Sequence, residues 1–231
     1  MEVSILKVET TLGTLITHIV TDESKQYCYE IERTLKESEG DKGIIVGLYP
    51  TLGSTDSDVF GMDMTTMHLI THMKELNLKS VKIINLFSKI SKGARMSSRN
   101  LQVDTNNLEH IEKIMKQKDF STYKVILAYG SSMSSSIACA ETKRIFLKLF
   151  KQYNPTGKLY QITADDVSLK NEKATHILFM GIRYSNKKWK LEEFKVTPDL
   201  LVEPTKQNSK QKTTDKSVKE KDKKKGEEVS S

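Results

Sequence analysis

The sequence of 231 residues has little cysteine, little proline and no long apolar run. Its two cysteines, Cys28 and Cys139, cannot build a disulfide framework or a zinc site of the CxxC type. No apolar run approaches the roughly 18 residues that a membrane-spanning helix needs. The first ten residues lack a charged segment followed by an apolar one, so we expect no secretory signal. We therefore expect a cytoplasmic protein without a membrane segment.

The charge of the chain is moderately basic and unevenly distributed. Lysine and arginine total 37 against 30 acidic residues, a net charge of +7. Residues 199–231 hold nine lysines and seven acids and are poor in apolar residues, which is typical of a disordered, solvated tail. We predict a single folded domain over residues 1–198, followed by a disordered Lys-rich tail over residues 199–231.

Apolar periodicity predicts alternating strands and helices after residue 43. Two segments at 15–20 and 27–35 predict an N-terminal β-hairpin. The predicted buried strands are 43–48, 81–87, 123–129 and 158–163, and the predicted helices are 65–76, 106–116 and 136–150. Residues 176–182 fit either a further strand or a turn onto a last helix. This alternation indicates an α/β fold with a mostly parallel central sheet.

Ligands bind such sheets outside the carboxyl ends of the strands, so the residues that follow each strand are the candidates for a site. After the first buried strand comes a long loop with Asp56, Asp58 and Phe60. It lacks the GxxxxGK[ST] and GxGxxG motifs, so we expect no nucleotide cofactor there, and we expect no metal site in the chain. Asp63 at the end of the loop suits the cap of the following helix.

The later strand ends offer a buried amide and positive charge. Asn85 interrupts an apolar run, and its side chain either satisfies nearby backbone groups or reads a ligand edge such as a nucleobase face. The segment that follows carries cations suited to phosphate contacts, namely Lys89, Lys92, Arg95 and Arg99. Ser131 is a candidate start of the next helix, whose N-terminal NH groups favour an anion. His176 is either structural or part of the site.

Taken in order, these strand ends resemble the DUF1643 family over roughly residues 25–195. The family shows a YxYxLER strand, an LNPS-type loop, a DPT helix start, a VxNLF strand, an N-rich helix start and a WG strand end. The corresponding segments here are 27–33, 48–51, 63–65, 81–87, 106–107 and 128–130. The motifs are short, but their order makes the set fairly specific.

The same segments resemble the uracil-DNA glycosylase superfamily. Residues 47–50 resemble its first motif, which is written GQDPY, GINPG or GLAPA in different branches. Residues 83–86 resemble the strand whose Asn reads the uracil edge, residues 125–131 the FLLWGS strand, and residues 174–178 stand near the place of the HPSP motif. The resemblance implies a three-layer α/β/α fold with a mostly parallel four-stranded sheet, and a base flipped into a pocket at the strand ends.

The resemblance also implies roles for single residues. Asn85 would read the base, Phe60 would stack on it beside Pro50, and His176 would stabilise charge on the uracil oxygen. Tyr49 stands where many glycosylases place an Asp or Asn that positions the attacking water. Because a phenol with a pKa near 10 is a poor base, Asp56 or Asp58 is a candidate for that task. Lys89, Lys92, Arg95, Arg99 and Ser131 would contact DNA phosphates.

The function expected from the resemblance is therefore a DNA-binding monomer that excises a flipped uracil-type base, fully or weakly. A protein inhibitor or a DNA-processing partner would fit such a role. Two alternatives stay open at this point. The pocket could bind DNA or a modified base without hydrolysis, or the domain could be a scaffold whose pocket is vestigial.

Overall fold

The computed structural model describes residues 5–12, 15–50, 63–90, 101–131, 133, 135–167 and 174–204. Eight strands form one sheet in the order β1-β2-β3-β5-β4-β6-β7-β8. The strands are β1 (Ile5–Leu12), β2 (Leu15–Asp22), β3 (Cys28–Leu35), β4 (Asp41–Gly47), β5 (Leu78–Asn85), β6 (Lys124–Leu127), β7 (Leu159–Ala164) and β8 (Trp189–Glu193). The helices are α1 (Met64–His72), α2 (Thr105–Met115), α3 (Ile137–Tyr153) and α4 (Ile177–Tyr184), with short 3-10 turns at Phe120–Thr122 and Pro198–Leu201.

Four parallel strands, β5-β4-β6-β7, form the centre of the sheet. Their sequences are nearly continuous apolar runs because helices cover both faces. Successive residues of β4 alternate between those faces: Ile44 and Val46 contact the core beneath α2 and α3, and Ile45 contacts the core beneath α1 and α4. The predicted α/β class and the central parallel strands are confirmed.

The sheet is larger than the four strands predicted and only partly parallel, so that part of the prediction was wrong. The N-terminal hairpin is confirmed as β2 and β3, but β1 extends it, and β3 pairs antiparallel with β5. At the other edge β8 pairs antiparallel with β7. The pairing of β3 with β5 joins residues about fifty positions apart, and a contact of that kind leaves no local periodic signal in the sequence.

The open alternative for residues 176–182 is settled as a helix, since α4 begins at Ile177 with His176 as its N-cap. Helix α3 begins at Ile137 rather than near Ser131, so the expectation that Ser131 starts a helix was wrong. Gly130 and Met133 adopt positive φ angles of 65° and 57°, a left-handed conformation that keeps this stretch out of a right-handed helix. Ser136 is the cap instead. Within the described residues, no helix combines the length and apolarity needed to cross a bilayer.

Candidate functional site

The carboxyl end of β4 approaches that of β5 very closely at Gly47. A Cβ on Gly47 would lie 2.3 Å from the Asn85 Oδ1 atom, so only glycine leaves room for the amide in its present place. The segments that follow β4 and β5 remain paired beyond the strands, because Leu86 N donates to Gly47 O and Phe87 N donates to Leu48 O, both at 3.0 Å. Tyr49 and Pro50 follow at this fixed end.

Asn85 is 6% exposed, and its backbone is held from the opposite face of the sheet. Its carbonyl accepts a hydrogen bond of 2.6 Å from Asn107 Nδ2 on α2. The α2 cap, Asp104, accepts from Asn107 N at 3.1 Å, and from Ser88 N and Oγ at 2.9 and 2.6 Å. One carboxylate therefore joins the start of α2 to the chain just after β5 and fixes the position of Asn85.

His176 caps α4 with a ring nitrogen. Its Nδ1 accepts a hydrogen bond of 3.2 Å from Leu178 N. Burial lowers the pKa of His176, and the negative charge of Asp63 partly opposes that change. Since a buried imidazole with a lowered pKa is neutral near pH 7, and its Nδ1 already accepts, the ring carries its proton on Nε2. His176 is therefore a neutral hydrogen-bond donor at a helix N-terminus.

Asp63 occupies the equivalent position on α1. Its Oδ1 accepts a hydrogen bond of 2.8 Å from Thr66 N, as expected for an N-cap. The negative charge of Asp63 acts on the pKa of His176 and also on that of Arg33. Burial lowers the pKa of Arg33, and the Asp63 charge opposes that change. The sequence pattern indicated the capping role alone. Only the topology, which brings the start of α1 to the carboxyl ends of β4 and β5, shows that Asp63 is also a site residue.

These strand and helix ends enclose one pocket. The polar residues that line it are Tyr49, Asp63, Thr65, Thr66, Asn85 and His176. The apolar lining comes from the strands beneath and includes Ile31, Ile45, Ile83 and Ala128. A concavity with convergent polar groups at the carboxyl ends of parallel strands is a usual place for a ligand site in such a sheet. The structure thus brings together four of the residues selected from the sequence, Tyr49, Pro50, Asn85 and His176, and adds Asp63.

The remaining selected residues are not part of this pocket as described. Lys89 is exposed and lies in an isolated bridge with Tyr27, and Ser131 is exposed in the turn after β6. The other selected residues, Asp56, Asp58, Phe60, Lys92, Arg95 and Arg99, lie outside the described residues.

Comparison with known proteins gives a family and no activity. No curated protein matches the chain. A family model described as "Protein of unknown function (DUF1643)" matches residues 29–177, which is more than half of the sequence and includes Tyr49, Asp63, Asn85 and His176. The resemblance found in the ordered strand-end motifs is thereby confirmed at the level of the family, and the chain belongs to DUF1643.

Proposed function

We propose that this protein is a uracil-DNA glycosylase-like enzyme that binds DNA, takes a flipped uracil-type base into the pocket and hydrolyses its N-glycosidic bond. One observation supports the proposal most. Residues far apart in the sequence, to which the resemblance gives glycosylase roles, line the same pocket: Tyr49 and Pro50 after β4, Asn85 at the end of β5, and His176 at the start of α4.

The chemistry of the lining suits a pyrimidine edge. The Asn85 amide offers one donor and one acceptor side by side, which matches the donor and acceptor of a uracil Watson–Crick edge. The His176 Nε2–H suits a carbonyl oxygen that becomes negative as the glycosidic bond breaks. A fixed donor in a partly buried site is a strong electrostatic contribution, since no reorganisation is needed when the charge appears.

The direct test is release of free uracil from a uracil-containing oligonucleotide. We expect the wild-type protein to release it and Asn85→Ala to abolish release. His176→Asn should lower the rate by about 10²–10³-fold, the usual loss when one such donor is removed, because Asn can cap the helix but lacks the ring donor. Absence of uracil after hours at high protein excess would contradict the enzymatic proposal.

A second candidate function is binding without hydrolysis, and Tyr49 is the observation that favours it. A phenol occupies the pocket position where an activating carboxylate is expected from the resemblance. This alternative predicts salt-sensitive DNA binding with no product. Replacing Lys89 and Arg95 by alanine should then weaken binding to all sequences alike. Binding that ignores salt would exclude it.

A further inference from the structure

Helix α4 contains a glycine in its middle, and the packing of the helix explains why. Glycine is among the poorest helix formers, so Gly181 weakens this eight-residue helix unless its missing side chain is needed. A Cβ on Gly181 would lie 2.1 Å from both Cγ and Cδ2 of His68 and 2.5 Å from its Nε2. The imidazole of His68, on α1, therefore lies directly against the backbone of α4, where no residue larger than glycine fits beneath it.

A second histidine, one turn further along α1, holds the other end of α4. The His72 Nδ1–H donates to the carbonyl oxygen of His68 at 2.8 Å, and the His72 ring stacks on Trp189 at 3.8 Å with an interplanar angle of 11°. The Trp189 indole NH donates at 3.0 Å to the carbonyl oxygen of Tyr184, the last residue of α4. The i, i+4 spacing of the two histidines thus places both rings on the side of α1 that faces α4.

Both helices also line the pocket with their first residues. Thr65 and Thr66 line it from the start of α1, and His176 and Ile177 line it from the start of α4. Gly181 follows His176 by five residues, which is about 7.5 Å along the helix axis. Because the backbone hydrogen bonds make so short a helix move as one piece, a displacement of α4 at Gly181 also displaces the His176 ring.

His176 is closely packed on its other side as well. A Cβ on Gly130, which follows β6 with a φ of 65°, would lie 3.0 Å from the Cβ of His176. The ring is tied to its own helix, since Nδ1 accepts the hydrogen bond from Leu178 N. The position of the His176 ring in the pocket therefore depends on where α4 lies, and the contact with His68 fixes how closely α4 approaches α1.

We propose that His68 is a positioning residue of the candidate site, whose ring sets the spacing of α1 and α4 and so holds His176 in the pocket. The inference rests on the proposed function, in which the His176 Nε2–H meets the uracil oxygen. The described lining of the pocket does not include His68, so His68 acts through α4 and not on the base. A fixed donor is effective only while it stays in place, and a misplacement of about 1 Å can cost about 10²-fold in rate.

A double-mutant cycle separates this role from simple packing. Gly181→Ala adds the methyl group that collides with the His68 ring, and Gly181→Ala/His68→Ala adds the same methyl group after the ring has been removed. Since alanine favours a helix more than glycine does, Gly181→Ala should lower the melting temperature of the wild type but raise that of His68→Ala. Ile182→Ala is the matched control, because it changes the next residue of α4, whose side chain is 67% exposed.

The first measurement is the NMR spectrum of the imidazole ring protons, taken at a temperature where every variant is folded. The chain has five histidines, so the His176 signals can be assigned from their absence in His176→Asn. We expect Gly181→Ala and His68→Ala to shift these signals, and the double variant to return them toward the wild-type positions. Ile182→Ala should leave them unchanged.

The second measurement is uracil release under single-turnover conditions. Gly181→Ala should slow it at least about tenfold while leaving the affinity for the DNA unchanged, because the donor is displaced but the DNA contacts are not. The double variant should recover most of the loss, and Ile182→Ala should release uracil at the wild-type rate. A role in stability alone would leave the rate of the folded Gly181→Ala protein unchanged.

The two measurements can fail separately. If the His176 signals are the same in the wild type and Gly181→Ala, or if removing the His68 ring from Gly181→Ala restores neither the melting temperature nor the signals, the role of His68 is wrong whether or not uracil is released. Release by Gly181→Ala at the wild-type rate would also contradict it. If the NMR results are as expected but the wild type releases no uracil, the proposed function fails while the positioning of His176 by His68 stands.

The test does not depend on the folding of Gly181→Ala. Should that variant fail to fold, His68→Ala carries the test, because removing a ring creates no collision. Shifted His176 signals in a folded His68→Ala protein support the inference, and unchanged signals overturn it.

Discussion

At the scale of single residues, the pocket depends on one missing side chain. Gly47 ends β4 in register with Asn85, and the amide fills the space that a Cβ would take. The Asn85 side chain is short and buried, and its backbone is fixed by Asn107, so it has little freedom to move aside. The glycine therefore matters for the orientation of the amide as well as for packing.

We predict that Gly47→Ala destabilises the protein by about 1–3 kcal/mol, the usual cost of overpacking, and disorders the amide of Asn85. Gly43→Ala on the same strand is the control, because its added Cβ would meet the flexible end of Leu78 at 3.3 Å. Urea unfolding measures both costs, and the Asn85 side-chain NH₂ signals in NMR report the amide. A Gly47→Ala protein as stable as Gly43→Ala, with unchanged amide signals, would contradict the prediction.

At the scale of elements, the start of α2 also holds the segment that follows β5. Asp104 caps it and also accepts two hydrogen bonds from Ser88, beyond the end of β5. By comparison, the Ser136 Oγ that caps α3 accepts a hydrogen bond of 3.2 Å from Cys139 N, within the helix that it caps. The two caps differ in that Asp104 also links its helix to the chain that follows a neighbouring strand.

We predict that Asp104→Ala costs clearly more than Ser136→Ala. Loss of an N-cap costs about 0.5–2 kcal/mol, and each hydrogen bond to a charged group adds about 1.5–3 kcal/mol before the site relaxes. Chemical denaturation of the two variants, with equal m-values, gives the comparison. Equal losses in the two variants would show that the Ser88 contacts contribute nothing to stability.

The same elements show what the sequence could predict. The central strands and helices α1 to α3 follow from apolar periodicity, and Asn85 was selected because an amide is out of place in an apolar run. Asp63 was recognised as a cap but not as a pocket residue. Its place in the pocket depends on how the start of α1 lies against the ends of β4 and β5, which are distant in the sequence. Likewise, only backbone conformation at Gly130 and Met133 shows why α3 starts six residues after Ser131.

At the scale of the whole molecule, long-range pairing decides the size of the sheet. The antiparallel edges arise where β3 meets β5 and β8 meets β7, and neither contact has a local signature. Charged side chains form a cluster at the first of these contacts, where β3 meets β5. Lys82 on β5 pairs with Glu30 on β3 at 2.8 Å, and His110 on α2 lies 3.5 Å from the other Glu30 oxygen. Glu30 thus connects two strands and a helix through one carboxylate.

This cluster makes part of the stability depend on acid pH. Burial alone would raise the pKa of Glu30, but its interactions with His110 and Lys82 outweigh that effect and hold the pKa below its ordinary value of 4.5. A carboxyl whose pKa is lowered on folding stabilises the folded state above its unfolded pKa, and that contribution is lost as the pH falls through the folded pKa. The relevant window therefore begins near pH 4.5 and extends below it.

We predict that Glu30→Gln lowers the free energy of unfolding at pH 7 by about 1–3 kcal/mol, because it leaves Lys82 with a weaker partner in a mostly buried place. The deficit should shrink below pH 4.5, where the wild type also loses the charge. Glu32→Gln is the matched control, since Glu32 lies on the same strand but 3.9 Å from Lys82 and is more exposed. It should cost little, as surface ion pairs do. Urea unfolding at pH 7 and pH 3 measures all three proteins. A Glu30→Gln deficit that is the same at both pH values would mean that packing, and not the charge of Glu30, joins β3 to β5 and α2.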